Sequence, residues 1–221
     1  MIRKNVTSYI ILFLLLMALP IIANAQESKI ITTKFQSKAL SGNLLGISDS
    51  PNIYVYLPPS YESSGQSYPV VYLLHGCCMN AAQYWFTWKP IKPLVDQLIS
   101  DGKVKEMIIV MPDAYISDYL LMYVNSPNGG NWGDYIAKEL VEFIDKNFRT
   151  MPTSANRALQ GYSMGGVGAW YLVHHYPDIF GCMTSHDGMM PATSNKEEWT
   201  TKYLVENNLK AFAKLRGIFI D

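Results

Sequence analysis

Charge is scarce and balanced: 18 basic and 18 acidic side chains in 221 residues leave a formal net charge of zero. Beyond Arg3-Lys4 there is no basic run, so neither nucleic acid nor an anionic membrane surface is an expected partner. Cysteine is nearly absent. The three present, Cys77, Cys78 and Cys182, are too few and too oddly numbered for a disulfide framework, and a vicinal pair lacks metal-ligand spacing. No metal site is expected, and all three read as small buried residues. Histidine is limited to four positions. Repeats and low-complexity tracts are missing, and ordinary apolar content over this length suits one globular domain with a sizeable core.

Long apolar runs are confined to the N-terminus. Arg3-Lys4 form a positive start, Tyr9 to Leu19 an apolar stretch short for a bilayer span, and Ala23-Asn24-Ala25 a small-x-small cleavage pattern. Residues 1–25 therefore read as a secretory signal peptide. The mature chain is expected from Gln26, as a domain over 26–221 that is secreted or periplasmic and carries no stable membrane anchor after cleavage.

That domain alternates strands with helices. Ile30 to Phe35 and Ile53 to Leu57 suggest an N-terminal hairpin-like pair. Val70 to Leu74 and Met107 to Met111 are apolar throughout, as parallel strands buried on both faces would be. Ile91, Leu94, Val95, Leu98 and Ile99 recur at helical spacing before Gly102. Ile136, Leu140, Phe143, Ile144 and Phe148 make one face of another helix, with Asp134 as its expected N-cap and Glu142 paired with Lys146. Between these lies a loop-rich stretch, Asp113 to Asn131, long enough to suggest a substrate-side loop. Cys182 to Ser185 and Gly217 to Ile220 complete the strands. The pattern predicts an α/β fold, a mostly parallel sheet with helices on both faces and a site at the carboxyl ends of its strands.

The chemistry concentrates in Gly161-Tyr162-Ser163-Met164-Gly165-Gly166. The short run Arg157 to Gln160 precedes it as a strand, and Val167 to His175 follows at helical spacing. A bare Gly-x-Ser-x-Gly is often only a glycine-rich turn. Between a strand and a helix it reads as a nucleophile elbow, where glycines leave room for a strained turn that lifts Ser163 Oγ clear of the sheet. The helix behind it would aim its positive end at a developing oxyanion.

Five segments together are more specific: Tyr56-Leu57-Pro58-Pro59, Tyr68 to Gly76, Glu139-Leu140 with Phe143-Ile144, the elbow, and Tyr176-Pro177-Asp178-Ile179-Phe180-Gly181. In this order and spacing they resemble the esterase D / feruloyl esterase family of α/β-hydrolases, from about Ile53 to Gly181. The resemblance implies the α/β-hydrolase fold, a serine nucleophile at Ser163 and no metal or cofactor. It also implies an oxyanion hole from the backbone N–H groups of Met164 and Cys77. His75, within the oxyanion-loop pattern, is expected to be structural or substrate-side. Trp85, with Tyr84, Phe86 and Trp88, would either stack on a sugar or phenolic group or pack beneath the loop.

One departure stands out. In the family the triad acid and histidine follow the last of these strands, and Asp221 falls short of the acid position, so the domain is expected to be C-terminally incomplete, with its last strand and helix missing. His174 and His175 sit on the helix after the elbow and are not candidate bases. His186 and Asp187 lie past a strand, adjacent and in inverted order, as substrate-side or structural residues before catalytic ones. The implied function is a secreted serine carboxylesterase acting on acyl esters of carbohydrates, feruloyl or acetyl, including small-molecule or polysaccharide-linked substrates. The alternatives are an acyltransferase of the mycolyltransferase type and a catalytically inactive glycan-binding relative.

Overall fold

A computed structural model of the protein describes residues 26–115, 123–188 and 217–220. The expected signal peptide lies outside the described residues. β-Branched and aromatic residues dominate β1 (Lys29–Thr33), β2 (Ile53–Leu57), β3 (Val70–Leu74), β4 (Ile108–Pro112) and β9 (Gly217–Ile220), whereas β7 (Arg157–Tyr162) and β8 (Cys182–His186) are mixed in composition. They build a seven-stranded sheet in the order β1-β2-β4-β3-β7-β8-β9. β1 and β2 pair antiparallel, as the hairpin-like reading expects, with Ile31 opposite Val55. β2 also runs antiparallel to β4, whereas β3, β4, β7, β8 and β9 are mutually parallel. A two-residue ribbon, β5 (Asn125–Ser126) with β6 (Gly130–Asn131), closes the loop ahead of the second helix.

Alternation along the strands separates two cores. Val70, Tyr72, Leu74, Val110, Leu159 and Met183 face α2 (Val141–Asn147) and α3 (Met164–His175), where Ile144, Ala169 and Leu172 are fully buried. Leu73, Ile109, Met111 and Tyr56 face α1 (Ile91–Ser100), whose Val95 meets them beside Tyr84 and Trp85. Helices thus cover both faces of the central strands, as expected. On β7 and β8 no helix among the described residues covers the second face, where Gln160 is exposed and Tyr162, Thr184 and His186 are half-buried. α3 is buried from Met164 through Val173, the behaviour of a helix apolar on every side.

Two helix expectations need correcting. Trp132 is buried, with its indole N–H donating to Gly129 O at 3.1 Å, and this starts the helix early. Its first turn is Trp132–Asp134, behind Asn131, followed by a π-helical stretch, Tyr135–Leu140, that runs into α2. Asp134 is therefore inside the helix, not its N-cap, pairing with Lys138 at 2.6 Å and accepting the Tyr176 hydroxyl at 2.9 Å. That i,i+4 pair replaces the expected one, since Glu142 and Lys146 form no ion pair among the described residues. The family segment at Glu139 has a structural reason: its carboxylate accepts the backbone N–H of Lys38 at 3.1 Å and of Ala39 at 3.0 Å, together with the Ser37 hydroxyl.

An ion pair ties α2 to the strand that carries the elbow. Arg157, at the start of β7, meets Asp145, their side chains 9% and 18% exposed, and the Thr150 hydroxyl donates to the same carboxylate at 2.6 Å. Removing one partner of a buried pair strands the other charge, at about 3–5 kcal/mol. Asp145→Ala is expected to lower unfolding stability by at least about 3 kcal/mol in urea titrations. A loss under about 1 kcal/mol, the size of a surface pair, would contradict this.

Candidate active site

Ser163 sits between β7 and α3 with φ 52 and ψ −114, a conformation that non-glycine residues rarely adopt. Packing enforces it. A Cβ built on Gly161 would run into the backbone of Gly165 and come within 2.7 Å of Gly166 N; one on Gly165 would run into Leu74 and come within 2.9 Å of His75 O. The two glycines let α3 close directly onto the end of β3. The turn is held from the far side as well, since Ser163 N–H donates to His186 O at 2.8 Å and Val167 N–H to Ser163 O at 3.1 Å. A strained serine at the N-terminus of a buried twelve-residue helix has its hydroxyl beside the positive end of the helix dipole.

Strain is concentrated around this point. Besides Ser163, the described non-glycine residues with positive φ are Cys78, Tyr123 and Asp187. Cys78, Ser163 and Asp187 all follow the carboxyl ends of adjacent parallel strands, β3, β7 and β8. Sequence patterns carry no signal for Cys78, Tyr123 or Asp187.

The loop after β3 reaches Ser163 because Leu74 pairs with Gly161 across the sheet. A Cβ on Gly76 would be 3.4 Å from Ser163 Cβ and 3.1 Å from the Tyr84 hydroxyl, so Gly76 is confined between the elbow and an aromatic wall. Cys77 follows immediately, which brings its backbone and that of Met164 to the same corner.

His75 is not substrate-side. It is fully buried, its Nε2 accepts Ala114 N–H at 3.0 Å, and its Nδ1–H donates to Gly76 O at 2.7 Å. These bonds fix the neutral tautomer and make the ring a brace between β4 and the loop. Asp113 Oδ1 stands 3.7 Å from Nε2 but accepts the N–H groups of Ala81 and Tyr115. The Tyr123 hydroxyl supports the brace by donating to His75 O at 3.2 Å. Burial pushes the His75 pKa below its ordinary value, against smaller opposing effects of the Gly76 carbonyl and Asp113. Folded His75 therefore stays neutral while the unfolded chain takes up a proton near pH 6.5, so stability is full above that pH and declines below it. His174, lowered mainly by burial and then by His175, adds a slope of the same sign. His75→Gln is expected to flatten the fall in stability between pH 6.5 and 5 by up to about 1.4 kcal/mol per pH unit. An unchanged slope in pH-dependent urea unfolding would contradict the assignment.

The aromatic cluster divides. Gln83–Trp88 is π-helical; Tyr84 and Trp85 are buried, while Trp88 is 49% exposed. Lys89 lies over the Tyr162 ring at 4.0 Å and over Trp88 at 4.8 Å. Trp85, Lys89, Leu94, Tyr162, His186 and Asp187 line a cavity of about 540 Å³. The structure thus brings together three of the sequence candidates, Trp85, His186 and Asp187, on the second face of β7 and β8. Ser163 does not line that cavity. The exposed Asp187 carboxylate beside Tyr162, through its attraction for the hydroxyl proton and then its charge, raises the Tyr162 pKa. Tyr123, Asp113 and Tyr162 were not singled out in the sequence. The cysteines also differ from expectation: Cys78 is exposed, and Cys77 and Cys182 are half-buried, because each sits at a loop or on that second sheet face. No group of three or more metal-ligating side chains occurs among the described residues.

The family model described as Putative esterase matches residues 46–220. The chain belongs to that family. The Gly-x-Ser-x-Gly turn of this esterase-family chain falls within the match. An esterase of Mycobacterium tuberculosis is 32% identical over 175 residues, covering 79% of this chain and 35% of that protein. An endo-1,4-beta-xylanase/feruloyl esterase of Xylanibacter ruminicola is 34% identical over 131 residues, covering 58% of this chain and 18% of that protein. The chain therefore spans about a third or less of the length of these curated relatives. Among solved structures, a ferulic acid esterase aligns with a TM-score of 0.66 at 28% identity, over 82% of this chain and 67% of that one. The feruloyl esterase module from Clostridium thermocellum complexed with sinapinate aligns with a TM-score of 0.67 at 18% identity, over 88% and 66%. The fold is that of the α/β-hydrolases, as the sequence implies.

Proposed function

We propose that the protein is a carboxylic ester hydrolase in which Ser163 is the nucleophile. The observation that carries this reading is the strained Ser163 backbone, φ 52 and ψ −114, at the N-terminus of α3 between two glycines that cannot bear a side chain. Ser163 Oγ attacks the ester carbonyl, the tetrahedral oxyanion is met by the backbone N–H groups of Met164 and Cys77, and the alcohol leaves to give an acyl-enzyme that water hydrolyses. Both donors belong to backbone held by packing, which keeps reorganisation small when charge develops.

The attack also needs a base. No histidine ring among the described residues hydrogen-bonds Ser163 Oγ, and His75 has both ring nitrogens committed to its bracing role. The proposed substrates are acyl esters on carbohydrates, with feruloyl or acetyl groups. Support comes from the relatives whose names contain feruloyl esterase and from the aromatic surface of Trp88 and Tyr162 beside Lys89. A location outside the cytoplasm is proposed from the charged, apolar and small-residue order of residues 1–25. The test compares hydrolysis of methyl ferulate and p-nitrophenyl acetate by the chain and by Ser163→Ala. Rates above the uncatalysed blank that vanish in the variant support the reading, and rates above the blank that persist in the variant overturn it.

A further inference from the structure

The oxyanion loop carries a feature that ester hydrolysis does not use. Cys77 and Cys78 are adjacent in the chain, and the Cys78 thiol donates to Cys77 Sγ at 2.8 Å. Thiol side chains of neighbouring residues ordinarily diverge. Here they converge because Cys78 adopts φ +72, a left-handed conformation unfavourable to a side chain and without any glycine to relieve it. Cys78 is exposed and Cys77 half-buried, so a solute reaches the outer thiol first and the inner one stands directly behind it.

We propose that Cys77 and Cys78 form a reversible disulfide site, closed by a low-molecular-weight disulfide and opened by thiols, and that closure resets the oxyanion loop. The loop half of this statement rests on the esterase reading of Ser163; the disulfide half does not. The Cys78 thiolate attacks one sulfur of the reagent, giving a mixed disulfide and releasing one thiolate. The Cys77 thiolate then attacks Cys78 Sγ and expels the second. The two cysteines lose two protons and two electrons, and the reagent is reduced to two thiols. An S–S bond is about 2.05 Å long, so closure needs less than about 1 Å of movement between the sulfurs.

The consequence follows from the backbone. The ring spans a single peptide bond, whose Cα atoms are about 3.8 Å apart, below the usual disulfide range that starts near 4.4 Å. The strain falls on the Cys77–Cys78 peptide, one residue from Gly76, which lies against Ser163. Turning that unit moves the Cys77 carbonyl and the Cys78 N–H, and the twist at the Cys77 Cα passes to the Gly76–Cys77 peptide, which carries the Cys77 N–H. Strained, exposed disulfides are the readily reduced ones, which suits a reversible site.

The test treats the full chain, in the Cys182→Ser background, with oxidised glutathione and then with dithiothreitol. The expected product is lighter by two hydrogens, carries no glutathione, maps to the peptide holding Cys77 and Cys78, and returns to the starting mass on reduction. In Cys78→Ser and Cys78→Gly the product is absent; the glycine variant suits the positive φ and guards against a folding defect. A persistent glutathione adduct, or an unmodified pair under conditions that oxidise an exposed model dithiol, overturns the site. For the loop, phosphonylation of Ser163 by a fluorophosphonate is expected to slow at least tenfold in the oxidised form, and equal rates in both forms overturn that half. Failure of Ser163 to label in either form counts against the esterase reading, while the disulfide site is decided by mass alone.

Discussion

Ser163→Gly is expected to abolish ester turnover while making the protein more stable. The two effects have one cause. Ser163 is held at φ 52 and ψ −114, outside the basins open to residues with a Cβ, and such backbone strain is of order 1–3 kcal/mol. Glycine accepts that conformation without the steric cost, so an increase of about 1 kcal/mol is expected, or about 2–4 °C in Tm for a domain of this size. The same change deletes the Ser163 hydroxyl. Loss of the nucleophile in serine hydrolases costs on the order of a millionfold in turnover, so rates should fall to the blank. Thermal unfolding and p-nitrophenyl acetate hydrolysis on one preparation read both effects. A variant both inactive and less stable would mean that the turn is not strained, and the main structural support for the nucleophile would be lost.

The second large effect is expected at Gly165. An added Cβ there meets the carbonyl of Leu74 and comes within 2.6 Å of its carbon and 2.9 Å of His75 O. These are backbone atoms of a central strand, buried between β4 and β7, and no side-chain rotation relieves the contact. Overpacking ordinarily costs about 1–3 kcal/mol, and more where nothing can yield. Gly165→Ala is expected to lose at least about 3 kcal/mol, read as a lower urea midpoint. It should also lose Ser163 labelling, because α3 is levered away from the loop carrying Gly76 and Cys77. Gly65→Ala is the control: nothing lies within 4 Å of its added Cβ, and it should stay within about 1 kcal/mol of the parent. A Gly165→Ala protein with native stability would show that the close approach of helix to strand is not needed.

Much of this was readable from the chain. Val70 to Leu74 and Ile108 to Met111 are apolar at every position because helices cover both faces of the central strands, and α1 shows its period because only one side of it is buried. The elbow is legible for a steric reason, since no residue but glycine fits at Gly161 and Gly165. His75 was harder to place: a histidine in a loop motif reads equally as ligand or brace, and only the Ala114 and Gly76 partners decide it. Asp134 failed as a cap because burial of Trp132 moved the helix start, an effect of tertiary packing on local preference. The convergence of Trp85, His186 and Asp187 depends on strand order, which periodicity does not encode. Positive φ at Cys78 and Asp187 left no trace in composition at all.

The central claim is that Ser163 is an activated nucleophile, and active-site labelling tests it most directly. The chain is incubated with a fluorophosphonate, digested and mapped by mass spectrometry, with p-nitrophenyl acetate hydrolysis followed on the same sample. The account predicts one adduct, on the peptide carrying Ser163, formed as hydrolysis is lost and absent from Ser163→Ala. An adduct on any other residue, or ester hydrolysis that persists in Ser163→Ala, would contradict it.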